Sequence, residues 1–351
     1  MLKYRHIKEK KEKDMSFFML GANKKIKETN KLIGLLKILN WDRCKKHLKS
    51  VHKNDIDPKG GQKAYDNLKM FKALLLQQWH DLSDEQLEEA LCIRIDFMMF
   101  TGFELNDDIP DASTIGRFRN KLIEKNLDKK LFKEINFQLE KQGLKLKKAN
   151  GAVIDATIIE SVSRPRRTIN IENDREEENI EVNIEESKDP DARWLKKGKR
   201  SYFGYKGFAM VDNEGYYLKI HTESANEAEV NKLETVMTGI KAKRIMGDKG
   251  YASASNRELL KQKGFKDGIM HKAQKNKELT PRQKLINKLI SKQRYIVEQG
   301  FGTLKRKFKF ERASYTTKRK VQAQFTLKAI CSNLLKAINK VFSGILVPIY
   351  A

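Results

Sequence analysis

A chain of 351 residues carrying 72 Lys+Arg against 46 Asp+Glu has a formal charge of +26, and its 39% hydrophobic content excludes a wholly disordered polymer. No apolar run approaches the roughly 18 residues that cross a bilayer, and no signal-peptide core follows the basic start, so neither a membrane span nor a secretory leader is expected. Charge of this size calls for a polyanion, and lysines spread along the whole chain without a juxtamembrane cluster favour nucleic acid over a lipid surface.

Residues 1–23 read as a basic, flexible leader in which Met1 or Met15 could be the natural start. Helical periodicity then runs through 24–49 (Ile26, Leu32, Ile33, Leu36, Leu39, Leu48) and, after a polar break, through 64–80 (Leu68, Phe71, Leu74 to Leu76, Trp79). Ser83, with Glu85 and Gln86 in the following turn, opens a helix to about Phe97, and Asp111 opens another; a last one covers about 128–142. Residues 24–148 therefore read as an all-helical domain. The character changes at GAVIDATIIES (151–161), a β-branched, buried strand. Ten acids against two bases between Ile169 and Asp191 give an acidic, flexible insert over about 166–193. Strands follow at 204–211 and 216–222 around the turn Asp212–Gly215, then a helix over 226–240, a strand at 244–247, a helix over 253–263, a strand at 268–271, and helices over 281–307 and 320–342. The order predicts an α/β domain with a mixed sheet over 149–345.

Three carboxylates stand out by context. Asp155 interrupts an apolar strand, where an acid is costly unless something pairs with it. Asp248 ends the strand R-I-M-G-D, at the rim where α/β sheets place ligand groups, although an acid beside a turn glycine is also common there. Glu298 shares one helix face with Arg294 and Lys305. Hard oxygen ligands from separate segments suit Mg²⁺ or Mn²⁺, and two such ions about 4 Å apart can activate a water or a 3′-hydroxyl and stabilise a leaving oxygen. By context alone, capping and salt bridging remain competing readings for these acids.

The chain resembles bacterial insertion-sequence DDE transposases of the insertion-sequence-5 group, from about Ala64 to Asn333. The resemblance rests on LLLQQWHDLSDEQLEEAL (74–91), IPDASTIGRFR (109–119), VIDATIIE (153–160), KKGK (196–199) with FGYK (203–206), ANE (225–227), GDKGY (247–251) and RYIVEQ (294–299) with Lys305. It implies a ribonuclease-H-like mixed sheet flanked by helices. It also implies a catalytic and metal-binding triad of Asp155, Asp248 and Glu298, two Mg²⁺ or Mn²⁺ ions, and cutting and joining of DNA strands at terminal inverted repeats. The family's Tyr-x₂-Arg-x₃-Glu-x₆-Lys pattern is met by Arg294, Glu298 and Lys305, while Ser291 stands at the tyrosine position. Only about Lys272–Thr280 separates the last strand from the glutamate helix, so a hairpin intermediate that depends on a large insert there is not implied.

Further DNA contacts are expected from Lys196, Lys197, Lys199 and Lys206, interleaved with Tyr202, Phe203 and Tyr205, and from Arg117 and Arg119. The solvated-face reading competes at each. Asn226 and Glu227 read as helix caps, and His221, His271, Trp79 and Phe100 as structural. The partners implied are double-stranded transposon ends and target DNA, with a homodimer or higher oligomer on them and no membrane. The compartment implied is the bacterial cytoplasm and its nucleoid. Three scattered cysteines, Cys44, Cys92 and Cys331, agree with a reducing environment. A plain nuclease of the same fold, or a non-catalytic DNA-binding derivative, are the alternatives. The first needs no inverted repeats, and an intact triad argues against the second.

Overall fold

The computed structural model describes residues 30–51, 64–174, 177–185, 187–274 and 278–344, with the backbone alone over 166–186. The expected leader, with Met15, lies outside the described residues.

The helical region holds α1 (Lys31–Ile38), α2 (Trp41–Leu48), α3 (Asn67–His80), α4 (Asp84–Ile93), α5 (Ile95–Thr101), α6 (Ala112–Glu124) and α7 (Leu127–Lys141). The periodic run expected as one helix over 24–49 is broken, among its described residues, by Leu39 and Asn40. Both have extended backbones, and the Asn40 side chain caps α2. The Ser83 signal is a full capping box, in which Ser83 and Gln86 each satisfy the other's backbone N–H, and Asp111 caps α6 through Thr114.

The sheet consists of β1 (Ala149–Glu160), β4 (Arg193–Lys197), β5 (Arg200–Asp212), β6 (Tyr217–Ser224), β7 (Ala242–Gly247) and β8 (Lys266–Ile269). β1 is central. It runs antiparallel to β5 and parallel to β7, which is parallel to β8. The far edge of β5 is shared by β4 and β6, both antiparallel to it. The expected turn is present: Gly215, at φ +80°, donates its N–H to Asp212 O at 2.9 Å, a conformation that glycine adopts without a side-chain penalty.

Two readings are corrected. The acidic insert is not a loop throughout: β2 (Arg166–Asp174) and β3 (Glu177–Glu185) pair antiparallel in a sheet of their own, outside the main one. The expected helix over 226–240 shrinks to a 3₁₀ turn (Glu229–Lys232) and a five-residue α8 (Leu233–Met237), so Asn226 and Glu227 cap nothing and lie in the preceding turn and loop. Lys232 is drawn to Glu223 and Glu227, which ties this stretch to β6.

Alternation along the strands gives the sheet two cores. One face sends Ala152, Ile154, Phe208 and Met210 against Leu233, Val236 and Leu260, from α8 and α9 (Ala254–Gln262). The other sends Val153, Ile159, Tyr205, Ala209 and Val211 into a larger cluster containing α10 (Pro281–Arg306), α11 (Lys318–Phe342) and the whole helical region. α11 is buried along most of its length and packs on α3, α7 and β6, with Phe325, Ile330 and Cys331 fully covered. Each such large apolar side chain contributes roughly 1.5–3 kcal/mol by leaving water. The boundary near residue 148 thus separates helices from sheet but does not divide the core.

Candidate active site

The parallel register pairs Val153 with Met246, so Asp155 on β1 and Asp248 just beyond β7 lie side by side on adjacent strands, about 5 Å apart at the backbone. Both follow the alternation of the Val153 face, toward α10. That helix starts cleanly because Thr280 and Gln283 form a capping box and Pro281 fills the first position. It crosses β1, β5 and β7 and sets Arg294 on Asp155, with Glu298 one turn on beside Arg294.

Arg294 joins the group. Its Nη2 donates to Asp155 Oδ2 at 2.8 Å and lies 3.5 Å from Glu298 Oε1. Asp155 Oδ1 accepts from the Ala156 N–H at 2.9 Å, and Asp248 Oδ1 from the Gly250 N–H at 2.8 Å. The Asp155 side chain is 13% exposed, whereas that of Glu298 is 59% exposed. Burial pushes the Asp155 carboxyl above its ordinary range despite the neighbouring guanidinium, and Asp248 adds to the rise. Arg294 is also buried, which disfavours its charge, but Asp155, Asp248 and Glu298 together outweigh that and raise its pKa.

The donor set fits a hard divalent cation: carboxylate oxygens on three separate elements, one of them buried. In this arrangement the guanidinium stands among them, and no three acidic, histidine or cysteine side chains among the described residues lie close enough to share one ion. Asp155, Asp248 and Glu298 are the residues that would hold it.

A fourth carboxylate was not singled out from the sequence. Glu229, in the 3₁₀ turn after β6, lies 3.8 Å from Lys206 Nζ. A Cβ at Gly250 would meet Glu229 Oε2 at 2.5 Å and Asp248 Oδ1 at 2.9 Å, so both carboxylates crowd that glycine. Burial, then the charge of Asp248, raises the Glu229 pKa. Nothing periodic marks Glu229; its one signal is a position two residues beyond the ANE motif.

The expected DNA-contacting residues divide. Lys196, Lys197 and Lys199 are exposed on the edge hairpin, and Lys196 and Lys197 wall a cavity of about 210 Å³ that also touches Ala156, Thr157 and Glu229. Lys206 lines the same cavity but is largely buried and donates to Glu227 O at 2.7 Å. Phe203 and Tyr205 point into the core, which leaves Trp194 as the exposed aromatic there, its ring 5.2 Å from that of Phe203. Arg117 is exposed, but Arg119 is buried, holds both oxygens of Asp84 at 2.5 and 2.8 Å, and stacks 4.5 Å over Tyr315. Arg119 and Lys206 are thus each engaged by a partner within the chain. Lys305 is half-buried on α10, seven residues beyond Glu298. Tyr251 is fully buried beneath Gly247, Trp79 and Phe100 are core, and His221 binds Glu223 at 2.8 Å.

Two family models match the chain. The family model described as Transposase DDE domain matches residues 147–334, and Transposase domain (DUF772) matches residues 21–121. The transposase for insertion sequence element IS1106 of Neisseria meningitidis serogroup B is 46% identical over 226 residues, covering 64% of this chain and 77% of that protein. No solved structure matches.

Proposed function

The chain belongs to the DDE transposases of bacterial insertion sequences, and from that premise we propose that it cuts and joins DNA strands at the inverted-repeat ends of its own element by divalent-metal phosphodiester chemistry. The observation that carries this is the placement of a buried mid-strand Asp155 beside Asp248, with Arg294 of α10 set on Asp155 and Glu298 one turn on beside Arg294. The strand directions, three antiparallel strands continued by two parallel ones with the acids at the junction, support the ribonuclease-H-like reading of the sheet. The insertion-sequence-5 group remains the assignment that the motifs favour.

Asp155, Asp248 and Glu298 would hold the metal pair, Mg²⁺ or Mn²⁺, which would supply activation of a water or 3′-hydroxyl and charge neutralisation on the leaving oxygen. Asp155 is fixed by its strand and its partner amide, so it enters the reaction already oriented. The exposed lysines 196, 197 and 199, with Arg294 and Lys305, grip backbone phosphates on either side of the acids. The helical region, in this reading, engages the repeat, and the active complex on transposon ends and target DNA is a dimer or larger.

The test is a pair of assays on each variant: a gel shift across a salt series, and cleavage of an end-containing duplex with Mg²⁺. Asp155→Asn and Glu298→Gln are expected to abolish cleavage and leave end binding nearly intact. Lys305→Ala is expected to weaken binding and flatten its salt slope by about one counterion. Cleavage at the wild-type rate by either carboxylate variant would overturn the assignment of the site.

A further inference from the structure

Resting on the metal-dependent reading above, we propose that Arg294 is the resident counter-ion of the carboxylate cluster, and that its transfer from Asp155 to a DNA phosphate opens the ligands, coupling metal loading to DNA engagement. One nitrogen, Nη2, makes both the 2.8 Å bond to Asp155 and the 3.5 Å approach to Glu298. The Ala156 N–H takes one lone pair of Asp155 Oδ1, and Nη2 stands on the side of Oδ2 that faces Glu298, where an ion shared with that glutamate would sit. A cation and a guanidinium cannot occupy the same face of one carboxylate, so the ion enters only as Nη2 leaves.

Arg294 differs from a packing arginine in the same chain. Arg119 has both terminal nitrogens on one carboxylate and an aromatic ring under its plane. Arg294 keeps a buried Nε with no hydrogen-bond partner. A phosphate can accept from Nε and a terminal nitrogen together, a bidentate grip that the present carboxylates do not offer. Without such an anion, release from Asp155 leaves a half-buried cation unpaired, which is costly. DNA therefore favours the released state, and the metal favours it too. By linkage, each must then raise the affinity for the other by the same factor.

The experiment titrates the full-length protein with Mn²⁺, read by electron paramagnetic resonance, with and without a short duplex carrying the element's end. In the wild type, the duplex is expected to tighten Mn²⁺ binding about tenfold, within the ordinary range of such couplings. Arg294→Ala and the closer isostere Arg294→Gln are expected to bind Mn²⁺ about tenfold tighter than the wild type without DNA, and to lose the enhancement by DNA. Thermal melts by circular dichroism establish that each variant is folded, and the Gln variant serves if the Ala variant is not. If folded Arg294 variants bind Mn²⁺ as weakly as the free wild type, or keep the full DNA enhancement, the counter-ion role is overturned. In that event Asp155→Asn still tells the two readings apart. Loss of Mn²⁺ binding there leaves the metal site standing, whereas absence of Mn²⁺ binding in every protein, with DNA and without, takes down both.

Discussion

Gly250 sets how closely Glu229 and Asp248 can approach. Gly250→Ala puts a methyl where Glu229 Oε2 now lies, and the flexible glutamate, not the backbone, will yield. The expected outcome is a folded protein that binds end DNA normally but cleaves it roughly tenfold more slowly, the scale of about 1.4 kcal/mol of misplaced charge. Unchanged cleavage rates would place Glu229 outside the chemistry. Glu223 offers a test that is independent of activity. Burial disfavours its charge, but Lys318, His221 and Lys232 outweigh that and depress its pKa from 4.5 to about 2. A depressed folded pKa contributes stability that is present above the unfolded value and is lost as pH falls from about 4.5 toward 2. Glu223→Gln should therefore lower the melting temperature at pH 7 by roughly 2 °C, the effect of about 1 kcal/mol in a chain of this size, with the difference from wild type closing below pH 4. Residues were legible in the sequence where they violated a pattern: Asp155 is an acid in an apolar strand. A cation in a motif looks the same in sequence whether its partner is a phosphate or a buried acceptor of the same chain, and only the fold places Asp84 beside Arg119.

Secondary-structure elements were most legible where capping and periodicity coincided, as at Ser83 and over Pro281–Arg306, and least where composition was read ahead of spacing. The acidic stretch was taken for a loop because ten acids cannot bury, yet Ile180, Val182 and Ile184 alternate with polar residues, as do Ile169 and Ile171, at the period of a strand. A further device invisible in sequence is the closing of the β6 edge by a helix side chain. Asn333 on α11 accepts from the Tyr217 N–H at 2.8 Å and donates to Tyr217 O at 3.0 Å and to Asn136 Oδ1 at 2.8 Å. Asn136 also donates to Tyr217 O at 3.1 Å, so one strand and two helices share a fully buried knot. Asn333→Ala orphans the Tyr217 N–H and the Asn136 Oδ1 acceptor. A loss of about 2–4 kcal/mol in chemical denaturation is expected, against well under 1 kcal/mol for an exposed control such as Asn150→Ala.

At the scale of the whole molecule, helices and sheet are one cooperative body. Lys328 of α11 is buried at their junction, with Nζ 2.6 Å from Asp81 Oδ1 at the end of α3 and bonded to Phe308 O beyond α10. Arg319 caps α6 through Ile123 O and Glu124 O at 3.1 and 2.6 Å. The prediction is a single calorimetric transition for the intact chain, and failure of a fragment beginning at residue 149 to fold, because the helices that cover α11 are then missing. Two separate transitions would refute it. The sequence marked the change of character near residue 148 correctly and could not reveal this union, since α11 returns to the first helices from nearly 200 residues away. The union has a consequence for DNA. If the helical region grips the repeat and the carboxylate site cuts, as proposed above, the two, welded through one helix, act as a gauge of fixed length. With about 10.5 base pairs per turn, inserting five base pairs between the repeat and the element's tip turns that tip to the far side of the duplex. The cut should then stay at its measured distance from the repeat and fall inside the inserted bases.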